Sequence, residues 1–250
     1  MTLQALQAGL LRSPELRSAY EVLRAIPGLG SALQGAAERV FPSDSDLVVR
    51  VPAGIAEGMS IQLDPRFHTE QARGSYESSM QQLLAGLLRP GDFFCDVGAQ
   101  IGFFTLGAAR LVGESGRVVA LEPDPMNYRR LARSIELNGL IRVRKLNLAA
   151  CSSDGEPQGL SAVRRAPLDE VVGKPPDVIK VDVEGGEAEV LRGARGLLHK
   201  HRSSWVIEAH GAERLSEVVA LLSGFGYAPR VAMEEASPER GDRYFVVARP

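Results

Sequence analysis

Lysine is nearly absent from this chain: only Lys145, Lys174, Lys180 and Lys200 are lysines among 29 basic residues, and the rest are arginines. The basic residues are scattered, and 29 against 31 acidic ones leaves a net charge of −2, so no global field gathers nucleic acid. Cysteine is scarce as well. Cys95 and Cys151 cannot form the framework of a disulfide-stapled miniprotein, and each lies in an apolar run that suits a buried thiol. A reducing, cytoplasmic compartment is the expectation. Aromatic residues make up 6%, too few for the stacking platforms that bind single-stranded nucleic acid. No stretch approaches the roughly 20 apolar residues of a membrane helix, and Met1 to Leu11 lacks the parts of a signal peptide. What is present is an ordinary globular composition, 44% hydrophobic and 24% charged over 250 residues. That length suffices for one large domain or two small ones.

From Thr2 to about Phe41, Leu3, Leu6 and Leu10, then Leu16, Tyr20 and Leu23, recur at helical spacing, interrupted at Pro27-Gly28. Leu47 to Val51 and Met59 to Leu63 alternate with period two around a turn-forming segment, which predicts a hairpin. Residues 1–75 are therefore expected to form a cap, and residues 76–250 the main domain.

From Met80 the rhythm becomes strand and helix in alternation. Strands are predicted at Phe93 to Val97, Val118 to Leu121, Val143 to Ala150, Val178 to Val183, Ser204 to Glu208 and Tyr244 to Ala248. Helices are predicted at Met80 to Leu88, Phe103 to Leu111, Met126 to Asn138, Ala188 to Leu198 and Ala212 to Leu222. This alternation implies an α/β, doubly wound, Rossmann-like sheet of parallel strands, whose uninterrupted apolar runs reflect helices on both faces.

Phe93 to Thr105 runs from a strand through a glycine turn into a helix. Gly98 and Gly102 let the backbone approach a ligand, but their spacing is not the Gly-x-Gly-x-x-Gly of dinucleotide folds. Asp96 at the strand end would repel a pyrophosphate and welcome an ammonium or a sulfonium. An NAD-linked oxidoreductase therefore fits poorly. Twenty residues past Gly102 the next strand ends in Glu122-Pro-Asp-Pro125, where Glu122 can accept bonds from both hydroxyls of a ribose. In this order, on consecutive strand ends, these residues point to S-adenosylmethionine. Asn147 falls where an adenine would lie, or else serves as a turn residue.

Val178 to Glu187 places Lys180, Asp182 and Glu184 at alternate positions near the end of an apolar strand. Burying such charges is costly, so the strand end is expected to open into a cleft, with an internal Lys180–Glu184 ion pair as the alternative. Glu187 and Glu189 suit the positive end of the following helix. Trp205 to His210 brings Glu208 and His210 to the same edge, and His210 has the pKa range of a general base.

Asp96-Val-Gly-Ala-Gln-Ile-Gly-Phe-Phe-Thr105, Ala120-Leu-Glu-Pro-Asp-Pro125, Ile179-Lys-Val-Asp-Val-Glu-Gly-Gly-Glu187 with Val190-Leu-Arg-Gly193, and Ile207-Glu-Ala-His210 together resemble the FkbM family of class I S-adenosylmethionine-dependent methyltransferases. The resemblance covers about residues 75 to 250, with Tyr76-Glu77 and Asp154-Gly155 included. Gln100 stands where that family usually has Asn, and Gly186 where a small side chain is commoner. The resemblance implies O-methyl transfer to a hydroxyl of a sugar or specialised metabolite. It also implies a cofactor set of Glu77, Asp96, Gly98, Ala99, Gly102, Phe103, Glu122, Pro123, Asn147 and Asp182. Asp182 and His210 are candidate bases, with Lys180 and Glu184 orienting them. No metal is expected, although Asp182, Glu208 and His210 are oxygen and nitrogen ligands on neighbouring strand ends that a metal-assisted variant would use. An RNA methyltransferase using Arg192, Arg195, Lys200 and Arg202, and a noncatalytic binding module, are the competing classes. The expected partner is a small hydroxylated substrate, with no nucleic acid and no membrane. Monomer and homodimer are both compatible with the sequence.

Overall fold

Phe93–Val97 (β3) and Val178–Val181 (β8) are buried along their whole length and lie side by side at the centre of a seven-stranded sheet. The structure, a computed structural model, describes residues 46–152, 163–237 and 241–250. The helices read between Thr2 and Phe41 and the Asp154-Gly155 motif lie outside the described residues. β3 pairs in parallel with Arg117–Leu121 (β4), which pairs with Val143–Leu146 (β5). On the other side β8 pairs in parallel with Ser204–His210 (β9). The order reverses between β3 and β8, and the crevice at such a reversal is where open α/β sheets bind ligands.

The far edge differs from the sequence reading. Arg230–Ser237 (β10) and Gly241–Ala248 (β11) form a hairpin whose second strand pairs antiparallel with β9, giving the order β10-β11-β9-β8-β3-β4-β5. β10 was not expected, because its exposed edge carries Val231 and Glu234 without a buried alternation. Its pairing is made by backbone, which leaves no trace in side-chain pattern. The third expected strand is also shorter: Ala149–Ala150 (β6) leaves the sheet and pairs instead with Arg165–Ala166 (β7).

Helices cover both faces. Thr69–Arg73 (α1), Ser78–Leu87 (α2) and Phe103–Val112 (α3) precede Pro125–Leu137 (α4), which Asp124 caps by accepting hydrogen bonds from the backbone of Met126 and Asn127 at 2.9 and 2.8 Å. Asp124 is thus occupied as a cap. After Leu168–Val172 (α5), the single helix expected from Ala188 to Leu198 is two, Glu187–Arg192 (α6) and Arg195–Lys200 (α7). Gly193 sits at the break, where a Cβ would stand 1.9 Å from the carbonyl oxygen of Cys151. Ala212–Gly224 (α8) follows β9.

Leu47–Arg50 (β1) and Ser60–Leu63 (β2) form the expected hairpin. Leu47, Val49, Ile61 and Leu63 join Phe94, Phe104 and Leu106 in one continuous core. The hairpin packs on α4, where Asn138 Oδ1 accepts from the Ser60 backbone at 2.8 Å and Ser134 Oγ accepts from that of Gln62 at 2.9 Å. It does not close over the site, since no residue from 46 to 63 lines the cleft at the strand ends. No helix among the described residues is long and apolar enough to cross a membrane.

Candidate active site

A cleft of about 1170 Å³ opens where β3, β4 and β8 end. Its near wall is the turn after β3. Gly98 has φ +79°, and a Cβ there would lie 1.8 Å from the Asp182 carbonyl oxygen, so only glycine lets the turn pass β8. Ala99, Gln100 and Phe103 continue this wall, and Glu122 with Pro123 supplies the floor from β4. The Glu122 carboxylate accepts one backbone hydrogen bond on each oxygen, from Gln100 at 2.7 Å and from Asp124 at 2.8 Å. Lone pairs remain on both oxygens for two further donors, the number a ribose offers. Burial outweighs these bonds and pushes the Glu122 carboxyl up to about 7.

Asp96 and Lys180 are in register on β3 and β8, and both are buried. Lys180 Nζ lies 3.3 Å from Asp96 Oδ1 and 3.3 Å from Asp182 Oδ2. Thr105 donates to the other Asp96 oxygen at 2.6 Å. Asp96 is therefore a support beneath the cleft, and it does not line it. Burial works against the Lys180 ammonium, yet Asp96, Asp182 and Glu77 together raise its pKa above the ordinary lysine range. Lys180 thus pairs with Asp96 and Asp182, where the sequence offers Glu184. β8 ends at Val181, and Glu184 lies beyond it on an exposed turn at the mouth of the cleft.

Glu77 is buried at the start of α2 with a left-handed φ of 43°. It does not line the cleft. Its Oε1 accepts from Arg243 Nη1 at 3.2 Å, and the same nitrogen donates to Glu208 Oε1 at 2.9 Å. Burial and the nearby charges of Asp182 and Glu208 push Glu77 up to about 7. Beside it Tyr76, Phe103 and Phe104 form an aromatic cluster with ring centroids 5.5 to 5.9 Å apart, and all three line the cleft. Burial holds the Tyr76 hydroxyl protonated by raising its pKa.

His210 meets a residue to which the sequence assigned only a helix-end role. Buried Glu187 accepts from His210 Nδ1 at 2.7 Å, and His210 Nε2 then lies 3.6 Å from Glu208 Oε1. The Glu187 bond raises the His210 pKa despite burial. Burial and the Asp182 charge likewise raise that of Glu208. Asn147 has its amide committed, donating to the backbone carbonyls of Glu122 at 2.8 Å and Pro123 at 2.9 Å. Leu148, not Asn147, lines the cleft on that side. Sequence reasoning missed Glu187 and Arg243. Arg243 left a signal, an inward position two residues before buried Phe245, but the strand was read as starting at Tyr244.

An acid just past the end of β4 on the floor of the cleft, a glycine turn after β3 and a cleft at the reversal of strand order fit a class I S-adenosylmethionine-dependent methyltransferase. A family model for the methyltransferase FkbM domain matches residues 96–229, more than half of the chain, and the chain belongs to that family. S-adenosylmethionine is accordingly its cofactor. Among solved structures, a methyltransferase FkbM from Methylobacillus flagellatus KT is 19% identical, with a TM-score of 0.53 over 79% of this chain and 56% of that one. This chain thus spans little more than half the length of the Methylobacillus protein. An S-adenosylmethionine-dependent O-methyltransferase from Thermotoga maritima is 18% identical, TM-score 0.50, over 70% of this chain and 65% of that one. Trm5b from Pyrococcus abyssi is 15% identical, TM-score 0.53, over 83% and 56%. These three likenesses are of fold. No curated protein matches the chain significantly.

Proposed function

We propose that this chain transfers a methyl group from S-adenosylmethionine to a hydroxyl oxygen of a small acceptor such as a sugar or specialised metabolite. The observation that carries this reading is the convergence of Asp182 and the Glu187–His210 pair beside a partly aromatic cleft. The acceptor oxygen forms a bond to the methyl carbon as the carbon–sulfur bond breaks, and the sulfur keeps that electron pair. The hydroxyl proton passes to His210 or Asp182. His210 is oriented through Nδ1 by Glu187, the arrangement of a positioned base. Lys180 holds Asp182, and Glu184 at the rim is placed to contact the acceptor. Charge disperses as the sulfonium is consumed, so the wall of Tyr76, Phe103 and Phe104 favours the reaction by keeping water from one side.

RNA is the second reading, because Arg192, Arg195 and Arg214 line the mouth. Arg192 is paired with Glu189 and Glu217, and Arg214 with Glu217. Arg192 and Arg214 are neutralised locally, and Glu184 adds negative charge, which disfavours a phosphate backbone. A screen for methyl transfer from labelled S-adenosylmethionine to glycosides, polyhydroxylated metabolites and an RNA oligomer tests the proposal. Label on a small hydroxylated acceptor, reduced at least tenfold by Asp182→Ala, is expected. Label on RNA alone would overturn it.

A further inference from the structure

The three side chains Asp182, Glu208 and His210 place ligand atoms within 4.8 Å of one another. That spread is about twice a metal–oxygen distance of ~2.1–2.4 Å. Three further observations bear on the cluster. His210 commits Nδ1 to buried Glu187, which leaves Nε2 on the side of Glu208. A carboxylate fixing an imidazole from behind is the usual support of a metal-ligating histidine. Glu208 is 1% exposed; its Oε1 accepts from Arg243 at 2.9 Å, while its Oε2 has no hydrogen-bond partner among the described residues, a costly state for a buried carboxylate oxygen. Finally, among the described residues the carboxylates of Glu77, Asp96, Asp182, Glu187 and Glu208 lie around this corner, and the permanent cations paired with them are Lys180 and Arg243.

We infer that Asp182, Glu208 and His210 form a binding site for one divalent cation, with Glu187 as the residue that positions His210. Two carboxylates and one imidazole, without a thiolate, form a hard to borderline donor set that suits Mn²⁺ or Mg²⁺. Asp182 lines the cleft, whereas Glu208 and His210 stand behind it, so the ion would meet an acceptor on the Asp182 side. On the methyl-transfer reading above, this cation would hold an acceptor through neighbouring oxygens, as in a vicinal diol. The His210 Nε2 that binds the ion then cannot also take the proton, which passes to the Asp182 oxygen that does not bind the ion. Cation binding itself requires neither acceptor nor turnover.

The test is a titration of the protein with Mn²⁺, following free Mn²⁺ by electron paramagnetic resonance, with Mg²⁺ as competitor and a parallel calorimetric titration with S-adenosylmethionine. One Mn²⁺ per chain is expected. Affinity should fall at least tenfold in His210→Ala and several-fold in Glu187→Gln, with both variants melting cooperatively. His210→Ala is preferred to a change at Glu208, which would strand Arg243. Absence of Mn²⁺ binding, or binding unchanged in His210→Ala, would overturn the metal site. If S-adenosylmethionine still bound in that event, the methyltransferase reading would stand without the metal. A site that takes Zn²⁺ but not Mn²⁺ would overturn the assignment to a hard cation.

Discussion

Glu122 is subject to two opposing influences: burial raises its pKa to about 7, while backbone N–H groups of Asp124 and Gln100 favour the anion. A carboxyl raised above its unfolded value near 4.5 contributes stability that is present below that value and lost as pH rises through about 7. Wild-type protein should therefore lose on the order of a few kcal/mol relative to Glu122→Gln between these pH values, read from denaturant melts. The ribose contact has the opposite sign. Affinity for S-adenosylmethionine should rise as pH increases through about 7 in wild type and stay flat, about tenfold weaker, in Glu122→Gln. Lys180 provides a second residue-scale case. Lys180→Met leaves buried Asp96 with only the Thr105 hydroxyl, and breaking a buried pair from one side costs about 3–5 kcal/mol. Urea denaturation would measure it. Lys180, Asp182, Glu122 and His210 were legible in the sequence because charges ending apolar strands are conspicuous. Glu187 and Arg243 were less so, because their partners lie 23 and up to 166 residues away.

The elements were legible where burial imposes a pattern. β3 and β8 are buried on both faces and read as apolar runs interrupted by one charge each, Asp96 and Lys180. β10 lies at the sheet edge, and the turn at Gly193 is set by the close passage of Cys151, a contact that local sequence does not encode. The β1–β2 hairpin shows how an element can matter to stability and not to the site. Asn138 donates to the Ser60 carbonyl at 2.6 Å and accepts from the Ser60 N–H at 2.8 Å. Asn138→Ala should cost about 1–3 kcal/mol, since it strands part-buried backbone groups, with cofactor affinity unchanged because Asn138 is remote from the cleft lining. Paired thermal melts and cofactor titrations would separate the two effects.

Over the whole molecule, the expected boundary at residue 75 meets a core that spans it. Val49 and Ile61 of the hairpin pack in the same cluster as Phe94 of the central sheet. Hydrogen exchange should therefore give the backbone amides of Val49 and Phe94 the same opening free energy, as one cooperative unit. Earlier exchange of Val49 would make the hairpin a separate folding unit. The near-neutral charge also takes on a finer meaning: it is assembled from carboxylates gathered around the ends of β8 and β9 and arginines paired at the mouth. The lysine scarcity has its counterpart in Lys180, a compact buried ammonium that reaches Asp96 and Asp182 at 3.3 Å. Calorimetric titration of the chain with S-adenosylmethionine decides whether the cleft between Gly98 and Glu122 holds that cofactor. Saturable binding of one equivalent, displaced by S-adenosylhomocysteine and weakened about tenfold in Glu122→Gln, is the predicted result. No saturable heat, or binding indifferent to Glu122→Gln, would contradict it.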